Sequence, residues 1–275
     1  MTRNHVGTTA IVTGGSSGIG AEFARTLADR GANLVLVARR EERLVALADE
    51  LAEAHGVDVP TLGLDLSEDG ATDGLVAFVR ERGLTVDSLV NNAGFGMHGA
   101  FAQADAARID EQVRLNVGAL VSLTRAFLPE MTASGRGILV NVASTAAFQP
   151  VPSMAVYGAT KAFVLSFTEA VAWETRETGL RVTALCPGAT RTEFFEVVGT
   201  EEARVGDYQT PAEVVSTAMR ALDARRTAPS VVSGRGNRMS AVFARIMPRS
   251  IVLPITARVM ASERMPHREV AHASS

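Results

Sequence analysis

The 275-residue chain contains one lysine and two tyrosines, and a tyrosine and the lysine stand four positions apart in Tyr157-Gly158-Ala159-Thr160-Lys161. On a helix this offset puts phenol and ammonium on one face, within reach of each other. A phenol with a pKa near 10 is a poor acid or base at neutral pH, and an adjacent cation lowers that value by stabilising phenolate. Every other basic residue is arginine. A compact ammonium can hydrogen-bond a sugar hydroxyl and join a proton relay, whereas guanidinium stays protonated throughout. The pair therefore reads as proton-transfer machinery rather than as a chance surface Tyr/Lys pair. Ser144, at the end of an apolar run, is placed to donate to a substrate oxygen.

A second constellation is Thr13-Gly14-Gly15-Ser16-Ser17-Gly18-Ile19-Gly20, between a predicted strand and a predicted helix. Glycines permit a tight turn and close backbone approach, and the free amides and dipole of a helix start attract a pyrophosphate. No lysine follows in the loop, so a nucleotide-triphosphate loop is excluded, and an ordinary strand-to-helix turn is the plainer alternative. At the end of the second strand stand Arg39 and Arg40, where an acidic residue would hold a ribose 2′-hydroxyl and an arginine a 2′-phosphate. This favours NADP(H) over NAD(H), with Arg39 the principal partner and Arg40, Ser16 or Ser17 assisting. A solvated arginine pair balanced by Glu41 and Glu42 is the alternative.

These groups need a scaffold. Short Val/Ile/Leu runs alternate with segments of helical period, the pattern of a parallel sheet covered on both faces. Strands are predicted at Thr9–Thr13, Asn33–Ala38, Val59–Leu64, Ser88–Asn91, Gly137–Val142, Arg181–Leu185 and Pro229–Val232. Helices are predicted before Gly31 and at 41–54, 69–82, 105–132, 155–178 and 211–224, the last opened by Thr210-Pro211-Ala212-Glu213. The expected architecture is α/β, a single doubly wound parallel sheet of about seven strands with ligands beyond the carboxyl ends of the strands. The predicted division is a binding and catalytic domain over 1–236 and a basic tail over 237–275.

Composition narrows the function classes. An apolar fraction of 47% with 21% charged residues is that of an ordinary globular protein. A formal charge of -3 argues against nucleic-acid binding, which requires a cationic surface. Cys186 is the single cysteine, so no internal disulfide forms. With no apolar leader or membrane-length run, the expected location is the cytoplasm. Residues His5, His55, His98, His267 and His272 lack the spacing of a zinc site, and none sits in a hydrolase motif, so no metal is expected.

Taken together, the motifs resemble the short-chain dehydrogenase/reductase family over about residues 8–235. The matching pieces are Thr13-Gly14-x-x-x-Gly18-x-Gly20, Asp65, Asn91-Asn92-Ala93-Gly94, Asn116, Ser144, Tyr157-x-x-x-Lys161 and Pro187-Gly188. The resemblance implies a Rossmann-type fold and catalytic roles for Asn116, Ser144, Tyr157 and Lys161, with Asn116 holding a water that extends the relay. It implies cofactor contacts from Gly14, Ser16, Ser17, Gly18, Ile19, Gly20, Arg39, Arg40, Asp65, Leu66, Asn92, Ala93, Gly94, Pro187, Gly188, Thr190 and Thr192, beside Tyr157 and Lys161. Asp65 would meet the adenine. The implied reaction interconverts a ketone and a secondary alcohol by hydride transfer. The alternatives are a non-catalytic NADP-sensing protein on the same fold and a nucleotide-sugar epimerase or dehydratase. A homodimer or homotetramer is also implied.

Phe95, Met97, Phe148, Val151, Phe194 and Phe195 are expected around the mouth of the site, which points to a hydrophobic carbonyl or alcohol. The stretches Leu36-Val37-Ala38-Arg39-Arg40 and Cys186-Pro187-Gly188-Ala189-Thr190-Arg191-Thr192 resemble the reductase subgroup that includes steroid and long-chain 3-ketoacyl enzymes, which implies a 3-ketoacyl or steroid-like substrate. Residues 225–275 carry nine arginines against two glutamates, with Met239, Val242, Phe243, Ile246 and Met247 at helical spacing. Such a segment serves as a lid or packing element, or as a peripheral membrane contact. Pro248 and Pro254 are expected to interrupt it.

Overall fold

A computed structural model describes residues 4–194, 198 and 208–262. Seven parallel strands run β1 Thr9–Thr13, β2 Asn33–Ala38, β3 Thr61–Gly63, β4 Ser88–Asn91, β5 Ile138–Val142, β6 Arg181–Cys186 and β7 Ser230–Val232. They lie in the order β3-β2-β1-β4-β5-β6-β7. Side chains of a strand alternate between faces, and both faces here are buried. Ala10, Val12, Leu34 and Leu36 face one core; Ile11, Val35 and Val37 face the other. The first core is closed by α1 Gly18–Asp29, α2 Glu41–His55 and α7 Pro211–Asp223. The second is closed by α3 Ala71–Glu81, α5 Leu120–Ser134 and α6 Ala155–Glu174. This is the doubly wound, Rossmann-type arrangement.

The elements differ from expectation where local chemistry intervenes. The third strand is shorter than Val59–Leu64. The seventh starts after Pro229, which has no N–H to give a ladder. The segment expected as one helix over 105–132 is α4 Ala106–Val113, a π-helical turn Arg114–Ala119 and then α5. Asp105 caps α4 by accepting from Ala107 N and Arg108 N. The wide π turn carries Asn116, which is buried, and such turns recur at functional positions. Thr210 and Glu213 form the reciprocal cap anticipated for α7.

The strand order reverses between β1 and β4, and that is where a doubly wound sheet opens a crevice. Thr13 braces it, donating to Val90 O and accepting from Asn92 N and Ala93 N. Asn92 Nδ2 returns bonds to Thr13 O and Gly14 O. After β7 the chain forms α8 Arg235–Ile246 and α9 Arg249–Ser262. Pro248 separates them, but Pro254 lies inside α9 rather than breaking it, because a proline forgoes one hydrogen bond while the flanking turns persist. No helix among the described residues is long and apolar enough to cross a membrane.

Candidate active site

A cavity of about 430 Å³ follows the carboxyl edge of the sheet from Arg39 and Asp65 at one end to Val151, Met154 and Phe194 at the other. The glycine turn forms its floor. A Cβ on Gly20 would stand 2.2 Å from Gly14 O, and Gly14 has φ +65°. Only glycine fits either place, so the backbone lies as close as a pyrophosphate requires. The cradle and the cavity running from it, bordered by Asp65 towards one end and Lys161 towards the other, together fit a dinucleotide.

At the far end, Ser144 closes β5 and caps the short turn Thr145–Phe148, accepting from Ala146 N at 3.1 Å. Tyr157, carried by α6, lines the same cavity, and the Ser144 hydroxyl favours its ionised form. Tyr157 is only 9% exposed, and burial pushes its phenol up to about 12, with that hydroxyl opposing. One helical turn on, Lys161 donates from Nζ to Val142 O at 2.7 Å, and burial pulls its ammonium down to about 8. The expectation that Lys161 depresses the Tyr157 pKa is not met here. Its Nζ lies 5.8 Å from the ring centroid and is aimed at a backbone carbonyl, so desolvation dominates both groups.

The side chain of Asn116 differs from its implied role as well. Oδ1 accepts from Phe95 N, and Nδ2 donates to Phe95 O and Thr160 Oγ1. All its polar atoms are used in fixing the loop after β4 and the α6 turn, so the side chain positions the site rather than touching Lys161. Gly94 is wedged between them, with a hypothetical Cβ 2.8 Å from Asn116 Oδ1 and 3.5 Å from Lys161 Nζ.

At the Asp65 end of the cavity the two arginines are oriented differently. Arg39 points outward, its side chain 62% exposed and 3.7 Å from Asp65 Oδ2. Arg40 reaches Ser16 Oγ at 3.3 Å and Ser17 Oγ at 3.2 Å. Asp65 Oδ1 accepts from Ser67 N and Ser67 Oγ, which keeps its carboxyl below the usual range despite partial burial. Gly14, Ser16, Ser17, Gly18, Ile19, Leu66, Asn92, Ala93, Gly94, Pro187, Gly188, Thr190 and Thr192 all line the same cavity. Gly20 shapes the cavity from behind the turn.

The short chain dehydrogenase family model matches residues 8–203. This chain belongs to the short-chain dehydrogenase family. Like its relatives it is an NAD(P)-dependent oxidoreductase. It is 40% identical over 186 residues to a Chromohalobacter salexigens protein named sulfoacetaldehyde reductase 2, covering 67% of this chain and 73% of that one. Among solved structures, a Sphingobium yanoikuyae short-chain dehydrogenase in complex with NADPH is 32% identical with a TM-score of 0.75. That alignment covers 98% of this chain and 100% of the other. A Comamonas testosteroni alcohol dehydrogenase, described as specific for bulky-bulky ketones, is 31% identical with a TM-score of 0.71, covering 97% of each chain.

Within this short-chain dehydrogenase, the mouth residues divide. Phe95, Val151 and Phe194 line the cavity, and Phe194 packs on Tyr157 with centroids 5.3 Å apart. Met97 belongs to a separate, smaller cavity, and Phe148 lies beneath the Arg245 guanidinium. Phe195 falls outside the described residues. Four participants had no sequence signal. Asn237, Ser240 and Thr256 of the tail form part of the cavity wall, and Glu193 binds Arg40 beside the glycine turn. Arg43 joins them from the first turn of α2; its i+3 spacing from Arg40 was the one clue available.

Proposed function

We propose that this chain reduces the carbonyl of a hydrophobic ketone, or oxidises the matching secondary alcohol, with NADP(H) in preference to NAD(H). The observation that carries the reading is that Ser144, Tyr157 and the buried Lys161 line one partly apolar cavity, with Lys161 Nζ 5.8 Å from the Tyr157 ring centroid. When bound, the nicotinamide supplies or accepts the hydride. Ser144 and Tyr157 hydrogen-bond the substrate oxygen and stabilise the negative charge that grows on it. Tyr157, held as a phenol by burial, gives its proton to that oxygen at Oη. Lys161 holds the ribose and replaces the proton on the phenol. Pro187, Gly188, Thr190 and Thr192 flank the nicotinamide end, while Arg40, Ser16 and Ser17 support the reading of a 2′-phosphate.

Val151, Met154 and Phe194 support an apolar substituent on the substrate. A sulfonate, as in the Chromohalobacter relative's name, has less support. Among the described residues, the cations lining the cavity are Arg39 and Arg40 at the adenosine end and Lys161 beneath the phenol. The tail helices act as a cover over the substrate end, the reading favoured by Asn237, Ser240 and Thr256 over a peripheral membrane contact. Exposed Phe163 and Trp173 on α6 support a homodimer or homotetramer.

The test is Tyr157→Phe. Loss of both the proton donor and one oxyanion donor lowers kcat by at least about 10⁴-fold, while NADPH affinity measured by fluorescence stays within about threefold. Turnover within tenfold of the parent refutes the assignment.

A further inference from the structure

Glu193 occupies the anion niche of the adenosine end. Its Oε2 accepts from Arg40 Nη2 at 2.6 Å and from Ser17 Oγ at 3.1 Å, and its Oε1 accepts from Arg43 Nη1 at 2.5 Å. Arg40 is bonded at the same time to Ser16. Two guanidinium groups and one hydroxyl thus converge on one carboxylate beside the glycine turn, with the Ser16 hydroxyl held alongside by Arg40, a donor set suited to a dianionic phosphate. The carboxyl is held down to about 2 by Arg40 and Arg43, so it is ionised under any practical assay condition.

The segment bearing Glu193 is positioned by the fold. Thr190 bridges Gln209, and Arg191 N donates to Gln209 O. Thr192 then lies so close above Gly18 that a Cβ there would meet its Cγ2 at 2.8 Å. From this strap Glu193 reaches outward to the arginines, and Phe194 reaches inward onto Tyr157.

We propose that Glu193 is an internal occupant of the 2′-phosphate niche, completed by Arg43, and thereby a residue that sets how strongly the chain discriminates NADP(H) from NAD(H). The 2′-phosphate displaces the carboxylate from Arg40 and Arg43, so part of its attraction is spent on breaking that contact. A cofactor without the phosphate leaves the contact in place. Glu193 therefore narrows a preference that Arg40 and Arg43 would otherwise make wider. The inference rests on the NADP(H) reading above.

Isothermal titration with adenosine 2′,5′-bisphosphate and adenosine 5′-monophosphate isolates the niche from the reaction, and NADPH and NADH are titrated in parallel. In the parent chain the bisphosphate and NADPH bind more tightly than their unphosphorylated counterparts; equal affinities overturn the cofactor reading itself. With that preference intact, Glu193→Gln tightens the bisphosphate and NADPH about fivefold, the scale of one half-exposed ion pair, and leaves the monophosphate and NADH within twofold. No tightening, or an equal change in all four ligands, overturns the role of Glu193 alone. Arg43→Ala weakens the bisphosphate; if it tightens instead, Arg43 is only a partner of Glu193 and the niche is wrongly drawn. Thermal melts of both variants, and Glu193→Ala as a second replacement, separate these outcomes from misfolding.

Discussion

Lys161 carries its charge at a cost that can be measured. The amine is 6% exposed, and burial brings its pKa from 10.5 to about 8. About nine-tenths of the molecules are then charged at pH 7 and about one-tenth at pH 9. Because the chain has a single lysine, ¹³Cε-lysine labelling gives one resonance, and its midpoint reads the group directly. We expect about 8 in the cofactor-free protein, unmoved by Tyr157→Phe because the phenol stays neutral up to about 12. A midpoint near 10.5 would refute the account of both groups. The sign for stability follows. The folded value lies below the unfolded one, so the unfolded chain holds more protons between about 8 and 10.5, and this group's contribution rises with pH through that window. The full shift corresponds to about 3 kcal/mol. Tyr157 acts oppositely, since its raised value contributes stability below about 10 that is lost towards about 12. Urea unfolding of the parent against Lys161→Met, from pH 7 to 10, isolates the rise.

Lys161→Met should be inactive yet no less stable than the parent at pH 7. Removing a buried charge outweighs the roughly 1–3 kcal/mol of leaving Val142 O without its donor, as the urea midpoint will report. Gly20→Ala drives a Cβ to 2.2 Å from Gly14 O and 2.6 Å from Asn92 Nδ2. It should lower stability by about 1–3 kcal/mol and NADPH affinity by more than tenfold, checked by melting and fluorescence titration. Ser240→Phe fills the tail's side of the cavity and should raise KM for a bulky ketone at least about tenfold more than for acetone; equal effects would show that α8 is not part of the substrate wall.

The continuous apolar runs of β1 and β2, the helical stripe of α1 and the cap of α7 were readable because each local pattern agrees with the fold around it. The break inside the 105–132 segment was not. The π turn carries no cap or proline to mark it in the sequence, and it places Asn116 against Phe95 and Thr160. Tyr157, Lys161 and the glycine turn were legible because their spacing encodes their geometry. Glu193 and Asn237 were not, since each reaches its partners through loop and tail paths that carry no period. The orientations of Arg39 and Arg40 were not legible for a similar reason. Which of two adjacent side chains turns inward depends on the exact end of β2, and boundaries are the least certain part of a sequence pattern.

The lone lysine has a practical consequence. A protease that cuts only after lysine has one bond to attack, Lys161–Ala162, midway along α6 with its side chain turned into the protein interior. Such a cut requires α6 to unravel locally, so the appearance of two fragments reports the opening of this helix, and reports its opening rate where protease is abundant enough for cleavage to outpace reclosing. Ligands that hold the cleft together should slow that clock, which gives a screen for binders that needs neither a substrate nor a chromophore.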